Sequence, residues 1–437
     1  MFFKQILFFI MLLSTLVVAQ NISYVEYDLD NGLHVILHQD TTVPLVVTSV
    51  MYHVGAKDEH PERRGFAHFF EHLLFEGTKH IPRGEFMKIV ESNGGSLNAN
   101  TTQDRTYYYE YFPSNKLELG LWLESERMLH PVINQIGVDT QNEVVKEEKR
   151  RGYDNRPYGN VLKVIVENLF EKHPYRWLTI GEMDHLDAAT LEEFKSFQQT
   201  YYVPNNAVLV VAGNFQINHV KKLINDYFAL IPKGAEIVKK VINEEAITKE
   251  KRVSYYDANI EIPMSLMCFR TAAMTEKDSY VLELISSILS DGKSSRLYKK
   301  LVDEKKMALQ IQAINVSLED YGMYVVLALP LGDHTLDELI IEVEEEITRL
   351  QTELISEREY QKLQNIIQNS FVNANSSMAG IANSLARYYL LHNDTSLINN
   401  EIAIYQSITR KDILFIANKY LSKQQRIIID YLPKEEK

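Results

Sequence analysis

The chain has 437 residues, of which 45% are hydrophobic and 24% are charged, and its formal net charge is −13. This composition is typical of a globular protein, and it excludes wholesale disorder and a multi-span membrane protein. The acidic balance argues against nucleic-acid binding, and the single cysteine, Cys268, excludes a disulfide framework and a cysteine-rich metal cluster.

The N-terminus predicts a signal peptide over residues 1–19. Lys4 precedes an almost continuous apolar run from Ile6 to Val18, and the small residues before and at Ala19 suit cleavage. The run is too short to span a bilayer comfortably, although an uncleaved anchor is the alternative. We expect no integral membrane span after cleavage, and a periplasmic or secreted location, since an exported chain with one cysteine needs no oxidising compartment.

The first half of the mature chain alternates strands and helices. Strands are predicted between Tyr24 and Val54, with a hairpin turn at Asp30-Asn31-Gly32. Helical spacing runs from Arg63 to Glu76 and stops at Gly77. Further helices are predicted at 84–93, 115–129, 139–151, 158–170 and 190–201, before a strand from Ala207 to Ala212.

The second half repeats this order. Residues 232–254 predict a linker between a domain at 24–231 and a domain at 255–435. Tyr202 followed by an apolar strand recurs as Tyr420 followed by a similar strand, at the same offset. We therefore expect an α+β fold of two homologous domains, each an antiparallel sheet with helices packed on one face.

The sharpest chemical feature is the sequence His68-Phe69-Phe70-Glu71-His72. On a helix, His68 and His72 lie on one face and can chelate one metal ion, and Glu71 falls beside that face. This order inverts the common zinc-protease motif. The alternative is an exposed helix with two ordinary histidines, but the apolar neighbours favour a buried helix whose histidines need a partner.

A catalytic zinc site uses three protein ligands, so one is still to be found. The helix from Gln141 to Arg151 offers Glu147 and Glu148. Val144 and Val145 indicate its inward side, and Glu148 is one turn from Val144. Spacing alone leaves Glu147 as a second candidate, and either residue could be an ordinary solvated charge.

The segment from Gly65 to Thr78 resembles the signature of the pitrilysin/insulinase peptidase family. The similarity is greatest to short bacterial members that are like mitochondrial processing peptidase. It covers essentially residues 24–435, and further matching segments lie at 95–109, 144–148, 173–175, 202–206 and 211–214. The resemblance implies that each chain forms half of a clamshell chamber.

The resemblance also implies residue roles. His68 and His72 correspond to zinc ligands and Glu71 to the general base, while the family register places the third ligand at Glu148. An accessory acid of many members falls on Gln141 here. The implied activity is hydrolysis of extended peptides by water activated by Zn²⁺, with Glu71 as the base.

The resemblance further implies how substrate is held. An extended peptide would add to an edge strand around Asn98 and Ala99, although Asn98 could equally be a turn residue. An Arg and a Tyr that grip substrate carbonyls in many members are replaced here by Asp303 (or Val302) and Leu309. In the family that this chain resembles, chains that have the metal motif but lack this Arg and Tyr, here called the clamp, pair with a sister chain that carries the clamp. The resemblance therefore implies a heterodimer, and a homodimer is the alternative.

Two other functions remain open. The chain could be a non-catalytic assembly or scaffold subunit on the same fold, or a periplasmic peptide-binding protein whose histidines are structural. The presence of His68, Glu71, His72 and Glu148 together favours the peptidase, since a scaffold has no physical need for all four.

Overall fold

The computed structural model describes residues 21–434. The predicted signal peptide, residues 1–19, lies outside these described residues. Within the described part, every helix is too short or too polar to cross a membrane.

Six strands form the first sheet. They are β1 (Val25–Asp28), β2 (His34–Gln39), β3 (Leu45–Tyr52), β4 (Ser96–Thr101), β5 (Thr106–Pro113) and β6 (Ala207–Gly213). Their order across the sheet is β1-β2-β6-β3-β5-β4, so β4 is an edge strand. The predicted hairpin joins β1 to β2, and Gly32 at its turn has a φ of 84°, in the left-handed region that favours glycine.

Eight α-helices of the described chain accompany this sheet. They are α1 (Phe66–Leu73), α2 (Phe86–Ser92), α3 (Leu117–Leu129), α4 (Gln135–Lys149), α5 (Val161–Leu169), α6 (Met183–Ala188), α7 (Leu191–Tyr201) and α8 (Ile217–Phe228). All six predicted helices are present, with ends shifted by a few residues, whereas α6 and α8 were not predicted. Helix α4 begins earlier than predicted because the Asn134 side chain accepts a hydrogen bond from the Gly137 amide and caps it.

Within residues 21–434, five strands and six α-helices make up the second half, and its first strand begins at Lys251, inside the segment 232–254 that was predicted as a linker. The strands are β7 (Lys251–Asp257), β8 (Met264–Thr271), β9 (Ala308–Ser317), β10 (Gly322–Pro330) and β11 (Arg426–Pro433). The helices are α9 (Lys277–Ser290), α10 (Leu336–Thr352), α11 (Glu357–Ala374), α12 (Met378–His392), α13 (Leu397–Gln406) and α14 (Arg410–Tyr420).

The second sheet repeats the first. Its order, β7-β11-β8-β10-β9, matches β2-β6-β3-β5-β4 strand for strand, including the direction of every pairing. The α+β class and the two similar sheets are therefore confirmed. The strand pairing differs from the predicted antiparallel sheets in that β2–β6 and β7–β11 are parallel pairs. Strands β6 and β11 each arrive after a helix-rich crossover, which permits parallel pairing.

One helix of each half packs on the sheet of the other half. Helix α12 from the second half packs on the face of the first sheet opposite α1, where Ile381 and Leu385 share a hydrophobic cluster with Val210 of β6. Helix α5 of the first half contacts β8 and β11 of the second sheet. Every residue of β6 is buried, and a strand that is apolar on both faces needs cover on both. Helices therefore cover both faces of the first sheet, rather than one face as predicted.

Candidate metal centre

Helix α1 is held at its N-terminus by a buried carboxylate. Glu59 accepts hydrogen bonds from the Gly65 amide (2.7 Å) and the Ala67 amide (2.8 Å). Burial raises the pKa of Glu59 well above its usual range, and these two amides act in the opposite direction. Gly65 has a φ of 96°, which a side chain would strain. These contacts fix the direction of α1, and the sequence analysis missed Glu59 because nothing local marks it.

His68 and His72 share one face of α1, as predicted. Their ring centroids lie 4.9 Å apart with the planes at 80°. His68 is only 9% exposed, while His72 is half-buried. Phe69, Phe70 and Leu73 pack into the main core and orient the helix so that the histidines face outward from it.

Glu148 reaches this pair from α4. Its Oε2 atom lies 3.6 Å from His68 Nε2 and 3.4 Å from His72 Nε2. The His68 and His72 imidazoles together hold the pKa of Glu148 well below its usual range, despite partial burial of the carboxyl. Glu147, the second candidate, instead pairs with Arg150 and Arg151.

The predicted inward side of α4 was wrong in part. Val145 is fully buried, but Val144 is 44% exposed. Glu148 therefore lies on the open side of α4 with Val144, one turn away, and not on its inward side. A carboxylate that must reach a metal at the protein surface needs this open side.

The three groups fit a divalent metal ion. One nitrogen of His68, one nitrogen of His72 and one oxygen of Glu148 all lie within 4.8 Å of one another. Tetrahedral zinc with ligand distances of about 2.0–2.2 Å places its ligands about 3.3–3.6 Å apart, which matches the two distances from Glu148. Two imidazoles and one carboxylate are also a common catalytic zinc set.

Glu71 directly precedes His72 on α1 and is tied to the sheet edge. Thr101 Oγ1, at the end of β4, donates a hydrogen bond of 2.7 Å to Glu71 Oε2. Glu71 is half-buried. The role of Thr101 was not predicted, because its side chain meets Glu71 only after β4 packs near α1.

Asn98 and Ala99 lie within the edge strand β4, and the turn alternative for Asn98 was therefore wrong. The Ala99 amide donates a hydrogen bond of 2.9 Å to the Asn98 side-chain oxygen. In the turn after β4, the Thr102 amide donates to the Arg105 carbonyl of the β5 side. Along an antiparallel strand, successive residues direct their main-chain groups alternately toward the partner strand and away from it. Thr102 points toward β5, and Ala99 lies three residues earlier. The Ala99 amide therefore points away from β5, to the open edge of the sheet.

Gln141 lies two turns before Glu148 on α4 and still meets a carboxylate. Its side-chain amide donates to Glu76 Oε1, and Arg83 pairs with the other Glu76 oxygen. Glu76 follows the end of α1, so this contact joins the segment after the histidine helix to α4.

The second half places the predicted clamp positions at the other sheet. Asp303 is exposed in a π-helical segment, Tyr298–Glu304. Leu309 lies near the start of β9, the edge strand of the second sheet, and is 52% exposed. Neither side chain can donate a hydrogen bond to a peptide carbonyl at neutral pH.

Residues 34–181, which contain all four predicted metal and base residues, match the family described as insulinase (peptidase family M16). Residues 188–367 match the domain described as the peptidase M16 inactive domain. The chain belongs to peptidase family M16. The M16 inactive-domain match begins after His68, His72 and Glu148. This agrees with a chain whose first half alone carries the inverted metal-binding motif.

Similar proteins of family M16 support the same assignment. The chain is 28% identical over 408 residues to the zinc protease PqqE of Helicobacter pylori, covering 93% of this chain and 92% of the relative. The crystal structure of a protease from Helicobacter pylori superposes with a TM-score of 0.89 at 27% identity, covering 94% of this chain and all of the other.

A longer solved structure contains this fold as one part. The periplasmic protease PqqL from Escherichia coli matches 94% of this chain with a TM-score of 0.79 at 20% identity. This chain covers only 47% of that PqqL chain. The likeness shows that the fold of this chain corresponds to about half of a larger molecule.

Proposed function

We propose that the chain is an exported zinc metallopeptidase that hydrolyses peptide bonds of extended peptides or unfolded protein segments. The observation that carries this proposal is the convergence of His68, His72 and Glu148 from two helices, with Glu71 beside them. The relatives named as zinc proteases support the class of activity.

The chemistry assigns a different task to each group. Zn²⁺ held by His68, His72 and Glu148 would polarise a peptide carbonyl and lower the pKa of a water to near neutrality. Glu71 accepts a proton from the attacking water and returns it to the leaving amine. Thr101 orients the Glu71 carboxylate through its hydrogen bond to Oε2.

The open edge of β4 is the proposed peptide-binding surface. A peptide that adds there as a further strand is bound through main-chain hydrogen bonds, which tolerates varied side chains. The Ala99 amide already holds the Asn98 side-chain oxygen as an acceptor. A substrate carbonyl would take the place of that oxygen, which assigns Asn98 and Ala99 to substrate binding.

We further propose that the active enzyme is a heterodimer. A peptide on β4 must also be gripped from the far side of the chamber to sit productively over the metal. Asp303 and Leu309 cannot provide this grip, so a sister chain with the Arg and Tyr would supply it. The share of PqqL that this chain covers supports a two-chain arrangement, and a self-sufficient homodimer is the competing form.

The export proposal rests on the N-terminal apolar run. Lys4 and the run from Ile6 to Val18 have the features of a signal peptide. PqqL is described as periplasmic, which supports the same compartment for this chain. Separation of the mature chain from cells by osmotic shock would test this, since retention in the cytoplasmic fraction would contradict it.

A direct experiment separates the peptidase from a scaffold or a peptide-binding protein. The tag-free mature chain would be assayed on unstructured peptides, alone and with a family M16 sister chain that carries the clamp. His72→Ala should remove one equivalent of zinc and abolish hydrolysis, whereas the exposed-site control His219→Ala should change neither. Peptide binding without hydrolysis in the zinc-loaded pair would favour the binding protein. Full activity of this chain alone would contradict the heterodimer.

A further inference from the structure

A second group of metal-binding residue types lies outside the centre described above. His80, Glu126 and His130 each present one donor atom, and these atoms lie within 4.8 Å of one another. His80 Nδ1 is 2.9 Å from Glu126 Oε1, and His130 Nδ1 is 3.4 Å from the same oxygen. The two imidazole rings are 5.2 Å apart with the planes at 74°, a relation close to that of His68 and His72.

The backbone brings these residues together from two segments. Glu126 occupies the last turn of α3, and His130 is the residue that ends this helix. His80 lies in the segment after α1, where the Lys79 amide donates to the His130 carbonyl and Thr78 pairs with Pro131. Because main-chain bonds hold both segments, the three side chains are positioned before any ligand arrives.

One donor atom of the His80, Glu126 and His130 cluster has no hydrogen-bond partner within the described residues. Thr78 Oγ1 donates a hydrogen bond of 2.7 Å to Glu126 Oε2, and His80 contacts both carboxylate oxygens. His130 Nδ1 is buried and, within residues 21–434, makes no hydrogen bond although it faces Glu126. A buried imidazole nitrogen beside a carboxylate and a second imidazole has the surroundings of a metal ligand.

We propose that His80, Glu126 and His130 form a second zinc site. Two imidazole nitrogens and one carboxylate oxygen suit Zn²⁺ rather than Ca²⁺ or Mg²⁺, which prefer oxygen ligands. The His80 side chain is 51% exposed, so the ion enters from solvent and a water completes the coordination. Thr78 supports the carboxylate from behind, as outer hydrogen-bond donors do at other zinc sites.

The site has a structural role. The Thr78 hydroxyl is already bonded to Glu126, and the cluster itself contains no carboxylate left over to act as a base. The ion would join the end of α3 to the segment that leaves α1. Glu76 in that segment bonds to Gln141 of α4, the helix that carries Glu148. The second site therefore secures the C-terminal side of α1, as Glu59 secures its N-terminal side.

Zinc content of four tag-free proteins, measured after dialysis against Zn²⁺ and then against metal-free buffer, tests the proposal. We expect two zinc ions per chain in the wild type, one in His72→Ala, one in His130→Ala and none in the double variant. The control is His334→Ala, because His334 pairs with Glu338 at 3.5 Å but belongs to neither three-ligand group. The control should retain two zinc ions.

The outcomes separate this proposal from the proposed function. A wild type with one zinc that only His72→Ala removes would overturn the second site and leave the peptidase intact. Loss of zinc in His130→Ala alone, with no change in His72→Ala, would support the second site and contradict the first centre.

Two milder variants guard against misfolding of His130→Ala. His80→Ala changes a half-exposed side chain and should also remove one zinc. Thr78→Val, titrated with Zn²⁺ in the His72→Ala background, should weaken binding by about 10–100-fold. Added Zn²⁺ should raise the melting temperature of His72→Ala, but not that of the double variant. Unchanged zinc binding in both milder variants would refute the assigned ligands.

Discussion

Thr101 Oγ1 donates a hydrogen bond of 2.7 Å to Glu71 Oε2, and this contact joins the open sheet edge to the histidine helix. Thr101 ends β4, the strand proposed to bind peptide, and Glu71 lies between the two histidines of α1. The proposed base and the proposed peptide-binding strand are therefore held at a fixed position relative to each other. A shift of either element would separate the base from the peptide bond that it serves.

Thr101→Val should lower kcat by about tenfold without changing zinc content. A hydrogen bond to a charged group contributes about 1.5–3 kcal/mol, and about 1.4 kcal/mol corresponds to a factor of ten in rate. Thr101→Ser keeps the hydroxyl and serves as the control, so it should retain most of the activity. A larger change in KM than in kcat would indicate that Thr101 acts on peptide binding instead.

Glu71→Gln should keep the wild-type zinc content and lose nearly all peptide hydrolysis. The metal ligands are unchanged, whereas removal of a general base costs about 10²–10⁴-fold in rate. Parallel measurements of zinc per chain and of peptide cleavage by the active pair check this. Cleavage near the wild-type rate would show that Glu71 is not the base.

Glu148→Gln should weaken zinc binding strongly, and Glu147→Gln should leave it unchanged. Glu148 faces both histidines at 3.4–3.6 Å, whereas Glu147 pairs with arginines on the exposed side of α4. The two variants differ by one position in one helix, so each controls for the other. Equal zinc loss in both would contradict the ligand assignment.

Lys57→Met should destabilise the fold by about 3–5 kcal/mol, because it leaves buried carboxylates without their cation. Lys57 Nζ lies 3.0 Å from Asp104 Oδ1 and 2.7 Å from Glu319 Oε2, and Glu319 belongs to the second half. The side chain is only 10% exposed. Urea unfolding would measure the loss. The control is Lys88→Met at a more exposed surface pair with Glu85, which should leave the stability nearly unchanged.

The same contact between the halves predicts a loss of stability in acid. Burial alone would raise the pKa of Glu319, but the hydrogen bond from His53 and the charges of His53 and Lys57 hold it well below its usual range. A depressed carboxyl pKa stabilises the fold above the unfolded value, which is about 4.3, and this stability is lost as the pH falls through the lower folded value. Unfolding free energies measured between pH 7 and pH 3 should therefore decline below about pH 4, and less steeply in Glu319→Gln. Equal slopes in the two proteins would contradict this assignment.

Local pattern was sufficient for part of the site. His68, Glu71 and His72 lie within one turn and a half of a helix, and the apolar residues around them predicted both the helix and its buried face. The alternation around Gly32 likewise predicted the first hairpin. In each case the interacting residues are neighbours in the chain, so periodicity alone reports their relation.

Three-dimensional packing decided the rest. The position of Glu148 near the two histidines depends on which side of α4 faces α1. The apolar pair singled out Glu148, but the exposure of Val144 shows that this side of α4 is open and not inward as predicted. The contacts of Thr101 with Glu71 and of His80 with Glu126 join segments that are far apart in the chain.

Helices α5 and α12, each of which packs on the sheet of the other half, also separate what local sequence predicts from what packing decides. Each helix has an apolar face that predicts burial, but the sequence of one helix contains no information about which sheet will cover it. The sequence by itself determined most of the helices and strands and the pair of histidines, because these depend on side chains a few residues apart. Only the tertiary structure showed that Glu148 reaches both histidines, that Thr101 contacts Glu71 and that the second histidine cluster exists, because these contacts depend on how distant surfaces pack together.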